Sequence, residues 1–178
     1  MHYAFEKRYL PEFVYGGIDG AITTFAVVAG SIGASLSAGI ILILGFANLF
    51  ADGFSMAISN YLSVKAESEI HPQRKSPEEK KITKHPLKTG SATFVSFILI
   101  GLIPLISFLL SFIIPSLKIN AFVLSCLLTG LALIIVGAVK SHITGKHFIR
   151  SSLETFLIGS IAALVSFAIG YLLRGLAN

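Results

Sequence analysis

Tryptophan is absent from this chain and sulfur is scarce: 178 residues hold one cysteine, Cys126, and two methionines. A lone thiol excludes an intramolecular disulfide and any metal site built from several cysteines. Charge is also sparse. Asp, Glu, Lys and Arg make up 13% of the residues, about half of the roughly 25% usual in a soluble domain. Hydrophobic residues reach 54% and the mean hydropathy is +0.82. That balance describes an all-α integral membrane protein, and the length accommodates four to six spans at about 20 residues each. The net charge of +5 is explained by basic loops on the cytosolic face, so nucleic acid is not an expected partner. The opening segment MHYAFEKRYLPEF lacks the apolar core of a cleavable signal.

Five spans are expected, at about 13–33, 37–64, 89–114, 119–139 and 151–173, within one transmembrane domain covering 1–178. Pro104 should kink the third, and a short cytosolic linker occupies 65–88. With the N-terminus cytosolic, twelve of the fourteen Lys and Arg fall on the inner side, leaving Lys118 and Arg174 outside. That is the orientation favoured by the positive-inside rule. No internal repeat is evident, and an odd number of spans does not divide into two halves. A symmetric path would therefore need two copies of the chain, a two-fold homodimer.

Two aspartates lie within these apolar runs. A carboxylate at bilayer depth costs several kcal/mol or more and tends to mark ion or proton movement. Asp52 is preceded four residues earlier by Asn48 and followed four residues later by Met56. With Ser59 or Asn60, these residues form one helical stripe. On the first span Asp19 shares a face with Thr23, beside the small residues Gly16, Gly17, Gly20 and Ala21. Counted from the inner ends, Asp19 and Met56 overlap in depth, with Asp52 slightly deeper. Two hard oxygen donors and a soft thioether suit a transition-metal ion. Singly, each residue has a plainer reading: the aspartates and Asn48 as hydrogen-bonding glue between helices, Met56 as packing. The cluster shifts the balance toward an ion site.

Other polar residues carry less. Glu67 and Glu69 extend the second span into the cytosol, where they form either a cation-collecting entrance or a solvated face. His71, His85, His142 and His147 show no ligand spacing. Glu154 is expected to find a partner at the inner interface. Gly145 and Lys146 lack the rest of a phosphate loop, and no nucleophile, base and orienting group fall into a catalytic pattern. Neither an enzyme nor a bound cofactor is expected.

The segments YGGIDGAITTFAVVAG (15–30) and ANLFADGFSMAISNYLSVKAESE (47–69), followed by HPLKTGSATFVSFILIGLIPL (85–105) and ETFLIGSIAALVSFAIGYLL (154–173), resemble the vacuolar iron transporter family. The likeness touches nearly every span in order, and the first two segments are specific. The resemblance implies five-helix protomers paired as a homodimer, with the ion path between the two copies. It implies export of Fe2+, and often Mn2+, from the cytosol in exchange for protons. By the same resemblance Asp19 and Met56 match the first-helix aspartate and second-helix methionine of the path, and Glu67 matches the glutamate at the cytosolic end of the second helix. The membrane would be the plasma membrane of a prokaryote, or a vacuolar or other organelle membrane of a eukaryote.

Two departures stand out. Better-known members carry a glutamate at the position of Asn48, whereas here the acid lies one turn further on, at Asp52. Either ligand duty moves from 48 to 52 or the ion preference differs. The family's large glutamate-rich cytosolic domain is replaced by about 24 residues with seven Lys/Arg and four Asp/Glu, as in the shorter, nodulin-like branch. A proton-coupled exporter is the leading expectation. A passive cation channel through the same residues, and a membrane adaptor whose polar stripe is structural, are its rivals.

Overall fold

The computed structural model describes the backbone of residues 2–70 and 84–176, and the side chains of 8–70 and 84–176 except that of 119. His71 and most of the expected 65–88 linker lie outside the described residues. Among the described residues six α-helices follow one another: α1 His2–Gly33, α2 Ala38–Ile70, α3 Pro86–Gly101, α4 Ile103–Ile113, α5 Ala121–Thr144 and α6 Phe148–Leu173. Short 3-10 turns at Pro115–Asn120 and Arg174–Leu176 complete the order. No strand occurs among the described residues. Helices α1, α2, α5 and α6 are each long and apolar enough to cross a bilayer. The pair α3 and α4, which bend by 44° at one residue, is long and apolar enough only when the two are taken together, giving four or five candidate crossings. The protein is an all-α integral membrane protein.

The bend falls where the sequence predicts. Pro104 sits in the first turn of α4, and its ring removes an N–H and crowds the carbonyl four residues earlier, so α3 cannot run straight through. Ser125 of α5 donates to the Pro104 carbonyl at 2.7 Å, which ties the elbow to its neighbour. The other turns follow local chemistry. α1 ends in a Schellman arrangement: Leu36 N–H reaches the Ser31 carbonyl and Ser35 N–H the Ile32 carbonyl, both at 2.9 Å. The left-handed residue is Ser35, at φ 61°, a position more often taken by glycine. Gly145 supplies that conformation after α5, at φ 66°.

α1 is the hub. It packs most extensively on α3 and α6, and also on α2, α5 and α4. Close approach to α3 is made possible by Gly16 and Gly20, the GxxxG pair. A Cβ on Gly16 would lie 2.5 Å from the Thr93 carbonyl oxygen, and one on Gly20 would collide with the Phe97 carbonyl. Across this contact Val28, Ile41, Leu49, Phe97, Leu105, Phe108 and Ala121 form the buried core, with Met56 packed at its edge. α6 is the least enclosed helix, consistent with a lipid-facing surface.

The successive crossings gather Arg8, Lys65, Lys84, Lys88, Lys140, Lys146 and Arg150 at one end, with Lys118 and Arg174 at the other. Among the described residues, two ion-pair groups join separate segments at this basic end. Glu154 meets Lys140 and Lys146, each at 3.7 Å, the interfacial partnership expected for it. Glu12, whose side chain is only 12% exposed, pairs with Lys84 just before α3. One turn away Tyr9 Oη accepts the His85 backbone N–H at 3.1 Å.

Gly20→Ala is expected to destabilise the protein by about 1–3 kcal/mol through overpacking, lowering the Tm in detergent. Gly39→Ala, where nothing stands within 4 Å, should leave it unchanged. Equal behaviour of the two variants would contradict the tight α1–α3 contact. Lys84→Met strands the Glu12 carboxylate. The expected loss is about 1–3 kcal/mol, below the ~3–5 of a fully buried pair, because Lys84 keeps 37% of its side-chain surface exposed. Exchanging the charges (Glu12→Lys with Lys84→Glu) should recover part of the Tm, and no recovery would indicate that packing matters more than charge there.

Candidate functional site

The α1–α2 hairpin sets the depth of the two aspartates. Asp19 lies fourteen residues before the end of α1 and Asp52 fourteen residues after the start of α2. Each is about 21 Å along its helix from the connecting turn at 1.5 Å per residue. The carboxylates are therefore level, where counting from the inner ends of the expected spans puts Asp52 deeper. The difference arises because both helices continue past the apolar runs, so inner-end counting starts from unequal marks. The two acids are near enough for their charges to interact, and both are half-buried.

Met56 stands one turn beyond Asp52 toward the basic end. It is half-buried, touching the core cluster on one side and a small polar cavity on the other. That cavity has a volume of about 210 Å3 and is lined by Tyr15, Ser55, Met56, Ser59 and Asn60. Asn60 Nδ2 donates to Thr93 Oγ1 at 2.8 Å, linking α2 to α3. Thr23, which shares the Asp19 face, gives its proton to the Asp19 backbone carbonyl at 2.9 Å.

Asn48 is half-buried one turn from Asp52 on the opposite side from Met56, and its Nδ2 is buried without an acceptor. That nitrogen is a donor and cannot ligate a cation. Glu67 lies apart. It is exposed near the end of α2, fifteen residues and about 22 Å along the helix from Asp52. The neighbouring Glu69 makes an exposed i,i+4 pair with Lys65 at 3.9 Å. His85, His142 and His147 are exposed. Among the described residues, no three His, Cys, Asp or Glu side chains assemble into a metal-binding group.

The structure thus brings Asp19 and Asp52 together, with Met56 one turn along, and leaves Glu67 at a distance. Tyr15 and Ser55 were not singled out from sequence. Tyr15 sits in the glycine-rich run before Asp19, where it reads as an interfacial aromatic, and Ser55 is one of many serines in apolar helices. Their signal is spatial: a phenol and a hydroxyl on two helices converge on the methionine. One apolar cavity, about 460 Å3 between α1, α5 and α6, includes Phe25, Phe122, Cys126 and Phe156 in its wall. No charged side chain lines it, so it lies outside the polar site.

Along α2 the polar stripe is open to the outside of the protomer. Ser55, Ser59 and Ser63 are exposed, as are Phe50, Phe54, Ile58 and Leu62. Hydroxyls and half-buried carboxylates on an open helix face at membrane depth lack the cover that polar groups need in hydrocarbon.

The chain is similar to proteins of known family. The VIT family profile matches residues 10–90 and 72–171. A vacuolar iron transporter of Toxoplasma gondii is 28% identical, covering 93% of this chain and 74% of its own length. One from Plasmodium berghei is 26% identical over 97% of this chain and 85% of its own. Vacuolar iron transporter 1 of Arabidopsis thaliana is 27% identical over 89% and 83%. The aspartate-bearing helices α1 and α2 fall almost wholly within the first matched segment, and the chain belongs to the VIT family.

Proposed function

We propose that this protein is a divalent transition-metal exporter and not an enzyme. Fe2+ or Mn2+ leaves the cytosol in exchange for protons, along a path between two copies of the chain. The observation that carries this reading is the level pair Asp19 and Asp52 at membrane depth, with the Met56 thioether one turn away. Iron comes to this chain from its relatives, which bear the name vacuolar iron transporter.

In the proposed orientation the basic end is cytosolic, as the positive-inside rule favours. An ion entering there meets Met56 before the aspartates. A thioether among oxygen donors favours Fe2+ or Mn2+ over Mg2+ and Ca2+, which prefer all-oxygen shells. The carboxylates then bind either the ion or protons. Metal and proton compete because a protonated carboxyl is a poor ligand, so a proton gradient can drive the ion across. Glu67, on the exposed end of α2, collects cations before entry, and Asn48 contributes its amide oxygen, not its nitrogen, from the far side of Asp52.

The open α2 stripe supports the dimer. In a lone protomer Ser55 and Ser59 would face lipid; against a second copy they would line a shared path, and each half-site would be doubled. The membrane is an organelle membrane such as the vacuole's, or a plasma membrane in a prokaryote.

The test is Fe2+ uptake into inverted vesicles under an imposed pH gradient. Asp19→Ala and Asp52→Ala should each lower the rate at least about tenfold, while Met56→Ala should narrow the preference for Fe2+ over Mg2+. Unchanged transport in all three variants would sink the site assignment. Uptake that ignores the gradient would select a passive channel. Aspartate-to-asparagine variants that alter dimer stability while leaving metal tolerance intact would select a structural adaptor. Uptake at fixed metal should also fall as pH on the metal-loading side falls, because protons displace the ion. Asp19→Asn and Asp52→Asn should flatten that profile, and a profile as steep as wild type would count against the carboxylates as the coupling groups.

A further inference from the structure

The cavity beside Met56 contains no carboxylate, so its chemistry differs from that of the aspartate pair one turn away. Its donors are the Met56 thioether, the Asn60 amide, the Ser55 and Ser59 hydroxyls and the Tyr15 phenol. The orientation of Asn60 follows from counting protons. Thr93 Oγ1 donates to the Thr89 carbonyl at 3.1 Å, and a hydroxyl has only one proton to give. Toward Asn60, Thr93 can therefore only accept, and the amide atom 2.8 Å away must be Nδ2. Thr93 is fully buried, so water does not compete for this bond. With its nitrogen held by α3, the amide keeps its carbonyl oxygen for the cavity that Asn60 lines. Met56 and Asn60 are four residues apart on one helix, which makes them neighbours at about 5–6 Å between Cβ atoms.

We propose that Met56 and Asn60, with the Ser59 and Tyr15 hydroxyls, form a separate neutral entry site for a divalent transition-metal ion, and that Thr93 is the positioning residue that holds the Asn60 oxygen toward it. The inference rests on the transport reading above and divides its work between two levels. Amide, alcohol and thioether groups neither gain nor lose a proton near neutral pH. Occupancy of this site is thus independent of the proton gradient. Its soft sulfur selects the ion, and its lack of charge keeps binding weak enough for the ion to move on. Exchange against protons then takes place at Asp19 and Asp52.

The experiment is Fe2+ uptake by sealed vesicles carrying the full-length chain, with Mg2+ as competitor, at two pH values. Asn60→Ala and Thr93→Val are expected to raise the half-saturating Fe2+ concentration about tenfold, as loss of a ligand or its orienting partner does at metal sites. The pH dependence should stay as in wild type. Thr93→Ser keeps the acceptor and should restore half-saturation to near wild type. If Thr93→Val does not fold, Asn60→Asp still decides the matter: an anionic oxygen in the cavity should tighten half-saturation, let Mg2+ compete and add a pH dependence. Asn60→Ala with wild-type half-saturation, or Asn60→Asp with wild-type Mg2+ competition, would overturn the entry site. Thr93→Ser as impaired as Thr93→Val would overturn the positioning role. A wild-type chain that moves no metal would overturn the transport reading and the entry site together. A wild type that transports while every one of these variants matches it would overturn the entry site alone.

Discussion

A carboxylate in hydrocarbon must be protonated, paired with a cation or covered by something polar, and this chain places two of them at one level. Insertion scales put a single aspartate at the centre of a helix at roughly 2.5–3.5 kcal/mol, and a second like charge nearby adds repulsion. Among the described residues the basic side chains gather at the helix ends, and Glu12 and Glu154 already occupy three of them. The polar stripe around Asp52 is also open along α2. A mobile cation, a proton and a second chain are the three agents able to relieve that situation, and an exporter with its path between two copies employs all of them.

The rest of the fold serves this placement. Gly16 and Gly20 bring α1 against the backbone of α3, making α1 the central helix and leaving the neighbouring Asp19 to the α2 side. The tight Schellman turn at Ser35 closes the hairpin so that equal counts along α1 and α2 reach equal depth. Pro104 breaks the third crossing, and Leu105, just past the break, packs into the same core as Leu49 of α2. Asn60, bonded to Thr93, holds the inner half of α2 in place. The depth match therefore depends on backbone contacts made elsewhere in the bundle.

Much of the fold was legible in the sequence because bilayer thickness imposes it. Span number, the Pro104 kink, the glycine face of α1 and the interfacial role of Glu154 each follow from length, a missing N–H, a missing Cβ or a charge at a boundary. Helix ends were less legible: α2 runs on to Ile70 and α1 begins at His2 with Pro11 inside it, since a helix can continue into water beyond the apolar run. That excess displaced the inferred depth of Asp52 relative to Asp19. Asp19, Asp52 and Met56 were legible because charge and sulfur are so scarce here. Tyr15, Ser55 and the Glu12–Lys84 pair were not, because their meaning lies in contacts between helices that no periodicity encodes. Asn48 illustrates the remaining gap: its position one turn from Asp52 is plain, whereas its unpartnered nitrogen appears only in three dimensions.

The most direct test of the central claim is the position of the ion itself, read from Mn2+ anomalous scattering in crystals of the metal-loaded protein. The account predicts a two-fold dimer joined along α2, with a metal peak flanked by Asp19 and Asp52 of both copies and by Met56 on its cytosolic side. A metal-free aspartate pair facing lipid, or an ion bound elsewhere in a protomer with its α2 stripe uncovered, would contradict it.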